Sequence, residues 1–110
     1  MGLSRLDIVY LSLTRRPGTP AHPAEAADVV DILWAHARPG DDLEHVSANA
    51  GPGRLDLLLY LRTRETAPGP RNHLHRAGRL LARCHQASAL MRERYLPAGP
   101  PAARPDAAAS

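Results

Sequence analysis

Apolar and polar residues alternate with period two in three stretches of the chain and recur at helical spacing in two others. Residues 6–14 place Val9, Leu11 and Leu13 on one face and Ile8, Tyr10 and Ser12 on the other, the pattern of a strand. The Pro- and Gly-containing run 15–20 is a loop. A first helix is expected over 23–37, with Pro23 at its first position and His22 as its cap. Glu25 and Asp28 suit its positive end. Val29, Val30, Leu33 and Ala37 form its buried stripe, and Pro39-Gly40 ends it. Residues 43–50 make a weaker second strand, Gly51-Pro52-Gly53 a tight connection, and residues 54–64 the strongest strand. Leu55, Leu57, Leu59 and Leu61 line one face of that strand, while Leu58 and Tyr60 make the other partly apolar, as in a central strand. After a loop over 67–70, residues 71–95 read as one amphipathic helix with Leu74, Ala77, Leu81, Cys84, Ala87 or Ser88, Met91 and Tyr95 on its apolar side; Pro97 stops it.

The order is strand, helix, strand, strand, helix. A right-handed crossover makes the first two strands parallel, and the third fits between them. The expected fold is α+β, a three-stranded antiparallel sheet with two helices on one face. This β-α-β-β-α order resembles a ferredoxin-like split β-α-β without its usual fourth strand. Residues 1–96 form the single domain, and the Pro/Ala-rich segment 97–110 reads as a disordered tail. Without a fourth strand the first strand has an open edge, which makes Ile8, Val9 and Leu11 an interface edge. The sheet face bearing Ile8, Tyr10, Leu58 and Tyr60 is under-covered as well. Both features point to a homodimer or to a larger protein partner. The plainer account is that Arg15, Arg16 and the N-terminal residues cap the edge of a monomer.

Composition changes the picture in three ways. With no Phe and one Trp, the core must be aliphatic. All 14 basic residues are arginine, alongside many Ala, Pro, Gly and Leu, a habit of GC-rich codons that points to a high-GC bacterial genome. The formal charge of +3 therefore carries less functional weight. A single cysteine excludes an intramolecular disulfide and makes the cytoplasm the default location. The N-terminus lacks the layout of a signal peptide, and the apolar run 8–13 is too short to cross a bilayer, so no membrane role is expected.

Candidate chemistry is sparse. The second helix is basic, and Arg76, Arg79 and Arg83 share a face, a possible stripe for nucleic acid or an ordinary solvated surface. Glu25, Asp28 and Asp31 give the first helix an acidic outer face. His73 and His75 diverge around a helix and His85 lies too far along it, so no metal site is expected. Cys84 falls in the apolar stripe and reads as an inert core residue. Tyr10 and Tyr60, placed side by side on the face away from the helices, would line a shallow pocket with His45 and Leu58 that a second subunit closes; Trp34 reads as a packing residue or interface anchor, or as a further wall of the ligand pocket. No phosphate loop, nucleophile elbow or carboxylate pair is present, so no catalytic residue and no cofactor is assigned. The leading expectation is a non-catalytic interaction or accessory module. A small dimeric enzyme or ligand-binding protein with an apolar pocket between sheet and helices is second, and a nucleic-acid binder third.

Overall fold

In the computed structural model, which describes residues 5–63 and 72–98, three nine-residue strands pair into one antiparallel sheet. Strand β1 spans Leu6–Thr14, β2 Leu43–Gly51 and β3 Arg54–Arg62. Their order is β1-β3-β2, with β3 antiparallel to both neighbours. β1 and β2 therefore run parallel, which requires a crossover. Helix α1 (Glu25–His36) supplies it. Pro52 and Gly53 turn the β2–β3 hairpin, and Gly53 takes the left-handed φ of +67° that favours glycine. Helices α2 (Asn72–Ala87) and α3 (Ala89–Arg94) follow β3. The fold is α+β. Arg64, the loop 67–70, Arg71 and the tail from residue 99 lie outside the described residues.

Register decides which residues meet. Leu59 lies between Val9 and Val46, and Leu57 between Leu11 and Ala48. These side chains share one sheet face. Val29 and Leu33 of α1, Ala77, Leu80, Leu81 and Cys84 of α2, and Met91 of α3 close over it. Leu55, Leu57, Leu59 and Leu61 are completely buried, each contributing about 2 kcal/mol of apolar burial.

Local chemistry moves two helix boundaries. Pro23 and Ala24 form a turn ahead of α1, so His22 is not the cap. Instead its Nδ1 accepts the Ala24 N–H at 3.0 Å. The long second helix is divided at Ser88, whose extended backbone and Oγ, accepting the Met91 N–H at 3.2 Å, start α3 afresh. The missing fourth strand has a short remnant: Arg16 N–H donates to Arg94 O at 2.8 Å and Leu96 N–H to Thr14 O at 2.9 Å. This stub protects the last turn of the β1 edge, and Pro97 brings no N–H to extend it. Along Leu6–Leu13 no strand among the described residues pairs with the outer edge of β1.

Two polar networks tie the layers together, and both use residues that helical spacing assigns to the surface. Glu25 is buried rather than part of an acidic outer face. It accepts from Tyr95 Oη at 2.5 Å, Arg15 Nη2 at 2.8 Å and His22 N–H at 3.4 Å. Asp28 pairs with Arg94, leaving Asp31 exposed. Asp41, in the 3-10 turn Pro39–Asp41, accepts from Arg83 at 2.9 Å and from the Arg38 N–H at 2.7 Å. Arg76, buried, donates to Asp42 at 3.0 Å. The expected basic stripe is therefore broken up. Arg76 and Arg83 lie two turns apart and both aim at the α1–β2 connection, while Arg79 stays exposed.

Burial pushes the Glu25 and Asp41 carboxyls up, but the hydrogen bonds from Tyr95 and Arg15, and from Arg83, outweigh it and leave both below their ordinary values of 4.5 and 3.8. A carboxylate whose pKa falls on folding stabilises fully above its ordinary value, and that contribution is lost as pH drops through the depressed one. The urea midpoint is therefore expected to hold steady from neutral pH to about 5 and to fall steadily below about 4.5. A midpoint unchanged down to about pH 3 would contradict these networks.

Candidate interaction face

On the sheet face turned away from the helices, strand alternation places Leu6, Ile8, Tyr10 and Ser12 from β1, Asp56, Leu58 and Tyr60 from β3, and His45, Ser47 and Asn49 from β2. The register sorts them into rows. Ile8, Tyr60 and His45 form one row; Tyr10, Leu58 and Ser47 the next; Ser12, Asp56 and Asn49 a third. In the first two rows Ile8, Tyr10, Leu58 and Tyr60 make, with Leu6, a continuous apolar patch bordered on β2 by His45 and Ser47. Leu6 is 47% exposed and Ile8 58%, while Tyr10, Leu58 and Tyr60 are half-buried by their strand neighbours. Large aliphatic side chains this exposed and this contiguous mark an association surface more often than scattered ones do.

The third row is polar, and its Asp56 is satisfied within the face. Asp56 accepts from Tyr10 Oη at 2.7 Å, Ser12 Oγ at 3.2 Å and Arg54 Nε at 3.1 Å. Partial burial raises its carboxyl, and these hydrogen bonds more than reverse the effect, so it lies below the ordinary range. The same contact, added to burial, raises the Tyr10 hydroxyl. With its lone pairs engaged, Asp56 serves to anchor the Tyr10 hydroxyl across the β1–β3 pair. Asp56 follows from the same alternation that places Leu58 and Tyr60, but its role depends on the β1–β3 register.

Tyr10, His45, Leu58 and Tyr60, expected to line one sheet-face site, do share this face in adjacent rows. Tyr10 lies opposite Leu58 and Tyr60 opposite Ile8, so the two tyrosines are one row apart rather than side by side. Tyr60 meets the His45 ring instead, at 5.2 Å between centroids and 58° between planes. All three lie on the face opposite the helices, so a pocket between sheet and helices would not be lined by them. Trp34 is elsewhere, 45% exposed at a groove lined by none of these residues. Val9 and Leu11, assigned to an interface edge, point their side chains into the core; only their backbone belongs to the edge.

Other candidates are taken up by structure. Cys84 is fully buried, its thiol pushed up to about 11 mainly by burial. His85 is buried with Nε2 at 3.0 Å from Tyr95 O. His73 stands 4.0 Å from Asp7 and His75 is exposed. Among the described residues no group of three or more His, Cys, Asp or Glu is placed to hold a metal, and no helix is long and apolar enough to cross a membrane.

No family model, curated protein or solved structure matches the chain. The functional reading therefore rests on the geometry of the sheet face.

Proposed function

We propose that the chain is a non-catalytic cytoplasmic module that works as a homodimer, with a ferredoxin-like split β-α-β in each copy and the two open sheet faces packed together. The observation that carries this reading is the apolar patch of Leu6, Ile8, Tyr10, Leu58 and Tyr60, over which no helix or strand packs among the described residues.

A second copy is favoured over an unlike partner by charge. Arg54 pairs with Asp56 at 3.1 Å and Arg62 with Glu44 at 2.7 Å, so the formal charges on and beside the face cancel within the chain. Two such faces meet without net repulsion, and a strongly charged partner finds nothing to complement. Size sets the strength. Three nine-residue strands present a flat area of about 30 Å by about 14 Å, or roughly 400 Å². That is about half the area each partner buries in a standard stable interface, so the dimer is expected to dissociate in the micromolar range. A use as an accessory subunit would then follow from the dimer rather than replace it.

Sedimentation equilibrium tests this reading. The wild-type chain is expected to be dimeric at about 100 μM and to dissociate on dilution. Ile8→Asp, at an exposed position that folding does not need, is expected to be monomeric at the same concentration and equally helical by circular dichroism. A monomeric wild type, or an Ile8→Asp variant that dimerises as well as the wild type, contradicts the proposal.

A further inference from the structure

Beyond the sheet face, the molecule has a groove where the end of α1 meets the start of β2. It has a volume of about 490 Å³ and is lined chiefly by Trp34, Arg38, Pro39, Leu43, Glu44 and Arg62. Volumes of this order suit small organic ligands rather than a folded partner. We propose that this groove is a binding site for a small planar aromatic carboxylate.

The argument rests on which groups in the groove are already engaged. Arg62 and Glu44 neutralise each other at 2.7 Å, and Asp42 is held from behind by Arg76 at 3.0 Å. Arg38 differs. Its backbone is fixed, with the N–H donated to Asp41 at 2.7 Å, and its charge favours the Asp41 carboxylate, but among the described residues nothing accepts a hydrogen bond from its guanidinium. It is exposed and offers a planar, permanently charged fork that matches a carboxylate in two hydrogen bonds. Trp34, four residues earlier, is the chain's one tryptophan and a large apolar surface left 45% in water. An indole face beside Pro39 and Leu43 suits the flat apolar part of a ligand, while Arg38 suits its anionic end. A neutral aromatic leaves Arg38 unused, and a small anion without a ring leaves Trp34 unused, so the site requires both parts in one molecule. The walls are also held in place. The 3-10 turn that carries Pro39 is clamped to α2 through Asp41 and Arg83, so little ordering is needed on binding.

The single tryptophan makes the test direct, because the ¹⁵N–¹H spectrum of the full chain contains one indole cross-peak. Titration with 2-naphthoate is expected to shift that peak and the Leu43 amide along a saturable curve. 2-Naphthalenemethanol, the neutral analogue, and acetate are each expected to bind at least tenfold more weakly. Arg38→Gln should weaken naphthoate at least tenfold with the rest of the spectrum unchanged, Arg38→Lys should restore part of the affinity, and Arg79→Gln should bind as the wild type does. A naphthoate response that never saturates, equal binding of the neutral analogue, or an Arg38→Gln variant that binds like the wild type would overturn the proposal. The readout is the same for a monomer or a dimer, so the outcome is separate from that of the sheet-face reading.

Discussion

Leu59→Asp is expected to leave the chain unfolded at room temperature. Leu59 is completely buried at the centre of the sheet, between Val9 on β1 and Val46 on β2. Removing the leucine packing costs about 3 kcal/mol. Placing a carboxyl there, even one that takes up a proton to avoid charge, adds several more with no hydrogen-bond partner in reach. The total matches or exceeds the roughly 5–10 kcal/mol that holds a domain of this size together. The control is one residue away. Leu58→Asp lies on the opposite face, where a charge reaches water, so the variant is expected to fold. Circular dichroism of the two proteins decides the matter, because a one-residue slip in register would exchange their phenotypes. A folded Leu59→Asp protein would contradict the strand assignment itself.

Glu25→Ala is expected to cost about 3–5 kcal/mol, the second-largest single effect. The carboxylate is 2% exposed and joins three distant parts of the chain: the end of β1 through Arg15, the start of α1, and the stub after α3 through Tyr95. Its removal leaves the Arg15 guanidinium, itself 7% exposed, without a counter-charge and the Tyr95 hydroxyl without an acceptor. Tyr95→Phe removes only one neutral donor and should cost roughly 1–2 kcal/mol. Because the two changes break the same contact, the double variant should lose less than the sum of the single losses. Urea denaturation measures all three. A Glu25→Ala protein within about 1 kcal/mol of wild type would show that the triad does not hold the C-terminal stub.

The sequence made the strands legible because their pattern is local. Period-two alternation identifies the buried leucines of β3, and the same parity assigns Ile8, Tyr10, Leu58 and Tyr60 to one open face. What the pattern lacks is register, which decides that Tyr60 meets His45 and that Tyr10 reaches Asp56. The charged residues were harder to read for a different reason. Helical spacing correctly groups Arg76 with Arg83, but it does not say whether their shared face meets water or the acidic α1–β2 connection. Glu25 at a helix N-terminus suits the dipole whether exposed or buried. Its burial depends on Tyr95, 70 residues away, which no local rule connects to it. Ser88 was hidden within an apolar stripe that continues on both sides of the break.

The most direct test of the paired sheet faces uses the two isoleucines of the chain, Ile8 on the open face and Ile32 against the core. A sample mixing copies deuterated everywhere except at ¹³C-labelled isoleucine methyl groups with fully protonated, unlabelled copies, at a concentration above the dissociation constant, is examined for transfer from those methyls to aromatic protons, which only the second copy carries. The expected result is intermolecular transfer from the Ile8 methyl to the Tyr10 or Tyr60 ring of the second copy, and none from Ile32. A dimer that shows no such transfer from Ile8, or a chain that stays monomeric, would contradict the paired faces and leave the apolar patch to an unlike partner.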